Sequence, residues 1–276
     1  MSVFYPVFYP AFRCRAAACR HSCCRGWEID VDEASAARYR EERGELGEAL
    51  RAALFRDGEG WHFRLTREGR CPFLQTDGLC RLIRELGEDA LCDICALHPR
   101  FFLELGEHEI WGLGMSCEAA AELLLREDRL RFLCGETGEL LDFPGLLRRL
   151  GLAFPERLLH RRAAVDEDRR RELLRRFRDT EPIDARWPEE LRALEDGPLP
   201  GPEDGGRGRL LYEYILLRQL ERLDELGAQA LADYAALCAD LIALWDAASP
   251  DTAGHLRRIS EQIEYSTENV DRLIRR

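Results

Sequence analysis

Nine cysteines fall between Cys14 and Cys117, and only Cys134 and Cys238 lie beyond them. Four of the nine crowd one stretch, CRAAACRHSCCRG, which holds Cys14, Cys19, Cys23 and the adjacent Cys24. Cys71 and Cys80 follow in CPF and GLC, Cys92 and Cys95 form a CxxC pair, and Cys117 closes GLGMSC. The start, MSVFYPVFYPAF, has no basic residue ahead of its apolar ones, and two prolines interrupt it, so it does not read as a signal peptide. No stretch reads as long and apolar enough to span a bilayer. Together these readings predict a cytoplasmic chain, where structural disulfides are uncommon. Clustered cysteines in that setting point to metal binding or reactive thiols.

A CxxC turn can aim two sulfurs at one ion, and thiolate is a soft ligand suited to zinc or iron. The adjacent Cys23 and Cys24 point in different directions and could serve different ions or faces. Nine thiols exceed the four that one tetrahedral site or one four-iron cluster needs, so one centre with spare thiols and two centres both remain open. The pattern is neither the compact CxxCxxCxxxCP run of a two-cluster ferredoxin nor a regular zinc ribbon. His21 interrupts the first cysteine run, and His98 and Arg100 follow the CxxC pair; each has a structural reading beside the metal-linked one. Cys134 and Cys238 sit on apolar helical patterns and read as small buried hydrophobes.

The fold class expected is predominantly α-helical (α+β). A cysteine-rich metal-binding module with short hairpins is expected over residues 1–143, followed by a helical domain over 144–276. WEIDVD suggests a strand, with Asp32 capping the helix that follows, and ELGEALRAALF a second helix. HFRLTREGRCPFLQTDGLCRLI suggests two short strands joined by a turn, with Asp77-Gly78 as a further turn signal, and residues 101–105 and 109–113 a hairpin across GEHE. From Ser116 the apolar period becomes helical through CEAAAELLLREDRLRFLC. Later helices are expected over 166–177, 189–194, 208–226, 228–245 and 252–274, with GPLPGPEDGGRG (197–208) as a linker or mobile loop.

A net charge of −12 argues against general nucleic-acid binding, which needs a basic surface. There is no Walker loop and no glycine-rich dinucleotide fingerprint. Gly112 and Gly114 in GLGMSC are candidates for close backbone approach to a cofactor, or for a tight turn. In the tail, ISEQIEYSTENVDRLI places Glu261, Glu264 and Glu268 at helical spacing with Asn269 beside them. Carboxylates on one face can line a cleft or hold a cationic amine, although exposed glutamates are more often simply solvated. Glu264, Glu268 and Asn269 are the candidate catalytic group.

FYPAFRCRAAACRHSCCRGWEIDVD, GRCPFLQTDGLCRLIRELGEDALCDICALHPRFF, GLGMSCEAA and the tail EQIEYSTENV together resemble the bacterial flagellin lysine-N-methylase family. That family's closing motif usually carries a histidine where this chain has Tyr265. The resemblance implies methyl transfer from S-adenosylmethionine to surface lysines of flagellin, with an iron-sulfur cluster, or zinc in its place. The cysteine correspondence falls on Cys14, Cys19, Cys23, Cys24, Cys71, Cys80, Cys92, Cys95 and Cys117. Tyrosine titrates far above neutral pH, so Tyr265 suits hydrogen bonding better than base catalysis. The contiguous CxxxCxxC arrangement of radical enzymes is absent. The other classes to separate are an iron-sulfur or zinc-binding interaction module without transferase activity, and a redox protein.

Overall fold

The computed structural model describes residues 2–159, 165–201 and 206–275. The chain forms two compact units, one made by Arg13–Arg100 and the other by the segments on either side of it. This division differs from the expected boundary at 143. Residues 101–143 belong with the helices, and so does the first strand of the chain. The reason is backbone pairing. Ser2–Pro6 lies in the middle of a five-stranded sheet, parallel to His108–Leu113 and antiparallel to Arg131–Cys134. Its register sets Phe4 opposite both Ile110 and Cys134, and all three side chains are buried. Pro6 falls at the strand's end, where a missing N–H costs little.

The expected hairpin forms from Arg100–Leu105 and His108–Leu113, with Gly106 at φ 63° in the tight turn. RFLC does not continue a helix, contrary to the sequence reading. The helix Glu118–Leu124 stops, and Arg131–Cys134 is a strand with alternating burial. Cys134 is still a buried small side chain, but its setting is a sheet.

The helices Glu167–Arg178, Trp187–Arg192, Arg207–Leu217 and Leu223–Ala248 pack a large core around Phe177, Trp187, Tyr214, Tyr234 and Leu241. Asp166 caps the first of these by accepting from the Arg169 amide at 2.8 Å. The Leu220–Ala248 stretch is, by length and composition, long and apolar enough to cross a membrane, which corrects the expectation that none is. Its apolar residues are mostly buried in this core, and Asp240 within it is 3% exposed and paired with Arg169 at 2.8 Å. Cys238, 0% exposed, is the small buried hydrophobe expected. The expected linker at 197–208 lies partly outside the described residues, since 202–205 are among those not described.

The tail is not one helix. Thr252–Ile259 runs into a π-helical turn, Ser260–Glu264, and a new helix, Thr267–Ile274, starts under a Ser266 cap. Two fully buried amides explain the break. The Gln262 side chain accepts from the Ile183 and Asp184 amides at 3.1 Å and donates to the Glu181 carbonyl at 2.7 Å. Asn269 accepts from the Glu181 amide at 2.7 Å and donates to the carbonyls of Glu181 and Gln262 at 2.8 and 2.9 Å. In a continuous helix residues 262 and 269 would be about 10 Å apart along the axis, too far for that last bond.

In the unit Arg13–Arg100, Ile29–Val31, Trp61–Phe63 and Leu54–Arg56 form an antiparallel sheet in that order. Helices Glu33–Glu41 and Gly44–Ala53 supply Tyr39 and Leu50 to a small core with Phe63, Phe73 and Leu82. Asp32 caps the first helix as its position predicts, accepting from the Ser35 amide at 2.8 Å. After Phe63 the chain is mostly irregular. Isolated bridges join Arg25 to Arg70 and Leu74 to Cys80, where a second strand was expected. The Asp77-Gly78 turn is present, with the Leu79 amide donating to Asp77 at 3.1 Å. The class is α+β, as the sequence suggested.

His62 is 4% exposed and lies between two carboxylates, Nδ1 at 3.0 Å from Asp30 and Nε2 at 3.1 Å from Asp57. Both ring nitrogens can donate only in the imidazolium form. Burial opposes that charge, but the bonds to Asp30 and Asp57 and their charges outweigh it and raise the His62 pKa. Its stabilisation is complete below the ordinary histidine value of about 6.5 and is lost as pH rises through the raised value. Urea unfolding of this unit should therefore show lower stability at alkaline pH than near pH 6, and His62→Gln should remove that difference. An unchanged pH dependence in the variant would contradict the assignment.

Candidate functional site

Five of the nine expected ligand cysteines come together in the Arg13–Arg100 unit. Cys71 and Cys92 are buried in its core, with Cys24, Cys80 and Cys95 packed against them. The backbone brings them there. The Cys71 amide donates to the Cys24 carbonyl at 2.8 Å, the bridge at Leu74 carries Cys80, and the Cys95 amide donates to the Cys92 carbonyl at 3.0 Å. The thiols affect one another electrostatically. Burial pushes Cys71 up to about 12, and charge on Cys24 or Cys80 adds to that. Burial also raises Cys80, with Cys24 and Cys92 contributing. The bond between Cys92 and Cys95 lowers the first and raises the second. Cys24 is lowered to about 7 by its hydrogen bond with Cys23, against the effect of burial.

Thiolates gathered in one core repel one another unless a cation sits among them. The donor chemistry therefore suits a soft or borderline metal. Among the described residues, however, no three His, Cys, Asp or Glu side chains form a group able to hold an ion. The donors are gathered, but no coordination shell is formed. Cys14 and Cys23 are exposed and Cys19 is half-buried. Cys117 belongs to the other unit, where it precedes the Glu118–Leu124 helix. His21 is exposed. His98 is half-buried, and its Nε2 has no hydrogen-bond partner among the described residues. Burial lowers its pKa, so it presents the neutral imidazole that metals take. Arg100 opens the Arg100–Leu105 strand.

Of the two candidate cofactor-binding glycines, Gly112 packs closely against a neighbouring side chain. A Cβ on Gly112 would lie 2.1 Å from Cζ of Phe101, so its close approach is to an aromatic ring. The Arg218 guanidinium lies 3.9 Å from the centre of that ring and 3.7 Å from the Glu264 carboxylate. Gly114 is buried in the turn after the strand, its carbonyl accepting from the Cys117 amide at 3.3 Å.

The three tail residues read as catalytic do not form one group. The Glu264 side chain is 5% exposed and accepts from Ser260 Oγ at 2.7 Å. Glu268 is exposed in the first turn of the last helix. Asn269 has its side chain committed to the 181 and 262 backbone. The break at 265–266 separates Glu264 from Glu268, which a continuous helix would have put on one face. Tyr265 is half-exposed, and its hydroxyl is 2.9 Å from Ser116 Oγ. Burial raises its pKa, which keeps the phenol protonated near neutral pH.

Sequence reading missed Gln262 and Arg218. Gln262 stands inside the quoted tail motif, but its neighbours drew attention to charge and away from amides. It also gave no role to His255, whose Nδ1 lies 2.7 Å from Asp246 and whose ring stacks on Trp245.

Comparison with curated proteins finds a lysine-N-methylase of Salmonella typhimurium, 27% identical over 133 residues. Its counterpart from Salmonella choleraesuis matches at the same level. The flagellar biosynthetic protein FliU of Salmonella muenchen is 26% identical over 133 residues, covering 79% of its length. Over that stretch the chain is similar to proteins named lysine-N-methylase. The aligned region is 46% of this chain and spans 33% of the length of the two lysine-N-methylases. No protein-family model matches the chain, and no solved structure matches it.

Cys92→Ser and Cys95→Ser should each reduce the metal retained after anaerobic reconstitution with iron and sulfide. Cys14→Ser, at an exposed position, should retain it. Equal retention in all three would remove the core thiols as ligands. Gly112→Ala should act on packing, destabilising by about 1–3 kcal/mol through the clash with Phe101. A loss of donor affinity at unchanged melting temperature would instead restore Gly112 to a cofactor site.

Proposed function

We propose that this protein is a lysine N-methyltransferase that moves methyl groups from S-adenosylmethionine to lysine side chains of flagellin in the cytoplasm. The observation that carries this reading is the 133-residue similarity to proteins named lysine-N-methylase, with a flagellar biosynthetic protein among the matches. In the reaction a neutral lysine amine forms a C–N bond to the donor methyl group as the C–S bond breaks. The nitrogen then sheds a proton to solvent, and S-adenosylhomocysteine leaves. Such transfer depends on in-line positioning and on a desolvated amine, so a shaped site supplies most of the catalysis.

Cys24, Cys71, Cys80, Cys92 and Cys95 are the residues proposed to hold an iron-sulfur cluster, with zinc as the other candidate. When bound, such a centre would supply metal cations to offset the clustered thiolates, and the five cysteines holding it would cross-link the irregular segments after Phe63. The chain's own residues bring the thiols to one core and exclude water from Cys71 and Cys92.

Anaerobically reconstituted protein, incubated with flagellin and isotopically labelled S-adenosylmethionine, should give donor-dependent label on lysine by mass spectrometry. No transfer to folded flagellin with the metal centre intact would reject the enzyme reading. Label on cysteine would keep methyl chemistry and reject the acceptor.

A further inference from the structure

The two residues between Cys92 and Cys95 point the opposite way from the thiols. Asp93 and Ile94 are exposed, Ile94 by 50%, while Cys92 is 1% exposed. They form one wall of a cleft of about 480 Å³ within the Arg13–Arg100 unit. The turn after Leu54–Arg56 and the strand that follows also line it, with Glu59 and Trp61. Ligand pockets run from about 300 to 1,000 Å³, so the space exceeds what a bound ion needs and suits a short peptide segment.

The carboxylates around the cleft differ in what they already hold. Asp30 is bonded to His62, and Asp32 to the Ser35 and Asp93 amides. The Glu59 and Asp93 carboxylates have no ion-pair or hydrogen-bond partner among the described residues. Arg56 is committed to Glu33 at 2.9 Å, and Arg56 and Arg40 already lie 5.5 and 5.6 Å from the Trp61 ring. The uncompensated charge in the cleft is therefore negative, beside an exposed aliphatic side chain on the same wall. An ammonium group on an aliphatic stem, followed by an apolar residue, complements that arrangement.

We propose that this cleft captures a lysine-bearing segment of the protein substrate, with the ammonium between Glu59 and Asp93 and the neighbouring apolar residue on Ile94. This rests on the lysine-methylation reading and adds to it a recognition site on the outer side of the CxxC turn. The substrate class is a lysine next to an aliphatic residue, in an extended or mobile stretch.

The test is fluorescence anisotropy of the whole 276-residue chain with a labelled hexapeptide carrying one lysine followed by isoleucine. Glu59→Gln and Asp93→Asn should each weaken binding by about tenfold, as expected for loss of a charge-assisted contact. Acetylating the lysine should weaken it at least as much, and Glu104→Gln, on the other unit, should leave it unchanged. Equal weakening by Glu104→Gln would overturn the proposal, because net charge alone would then explain the attraction. So would indifference to Glu59 and Asp93, equal binding of the acetylated peptide, or competition by n-butylamine at the peptide's own affinity. Circular dichroism and melting temperature establish that the variants fold. Methyl transfer is measured separately. Transfer with affinity indifferent to Glu59 and Asp93 rejects the cleft and keeps the enzyme, whereas dependence on both without transfer keeps the cleft and rejects the enzyme.

Discussion

The Asp32 carboxylate holds two backbone amides from different parts of the chain, Ser35 at 2.8 Å and Asp93 at 3.0 Å. Desolvation works against its charge, but these bonds hold its pKa below the usual carboxylate range. One side chain thus starts the Glu33–Glu41 helix and fixes the CxxC turn to the end of the Ile29–Val31 strand. An N-cap alone is worth about 1 kcal/mol, and the second amide makes this one a tertiary joint. Arg38 and Tyr39 on the capped helix extend the joint. They reach the carbonyls of residues 89–91, with the Tyr39 hydroxyl 2.6 Å from the Ala90 carbonyl. The placement of Cys92 and Cys95 depends on these bonds, because the segment from Arg64 to Leu91 has little regular structure to position them.

The same economy of polar contacts runs through the helical unit. Gln262 and Asn269 replace a turn of helix with bonds to the 181–184 backbone, and the π-turn between them lowers Glu264 into a nearly solvent-free position beside Ser260 and Arg218. A motif that looks like a row of acids is, in the folded chain, mainly a pair of amides that fix a loop. Buried amides with every group satisfied are specific in a way that solvated glutamates are not, since each unmade bond would cost about 1–3 kcal/mol.

Much of the local structure was legible in the sequence. The Asp32 cap, the helix beginning at Asp166, the Asp77-Gly78 turn, the hairpin around Gly106 and the burial of Cys238 all follow from residue types and spacing within a short stretch. The errors have a common origin in contacts between distant residues. The apolar spacing of RFLC allows either period, and pairing with Ser2–Pro6, more than a hundred residues away, selects the strand over the helix. The apolar pattern over 252–274 is compatible with one unbroken helix, because nothing local reveals that Gln262 and Asn269 meet the same carbonyl of Glu181.

By itself the sequence determined that thiols would concentrate in the first part of the chain, that helices would dominate the remainder, and that the set of segments resembles the lysine-N-methylases. Side-chain type and short-range periodicity carry that information. Only the tertiary structure decided which thiols meet. Cys24, Cys71, Cys80, Cys92 and Cys95 share a core because backbone bonds join their segments, whereas Cys14 and Cys23 remain at the surface. It also decided that Gly112 yields space to Phe101 and that Asp93 and Ile94 face a cleft. Spacing along a chain limits what neighbours can do, but which distant groups come within bonding distance is settled when the core closes and each buried polar group finds its partner.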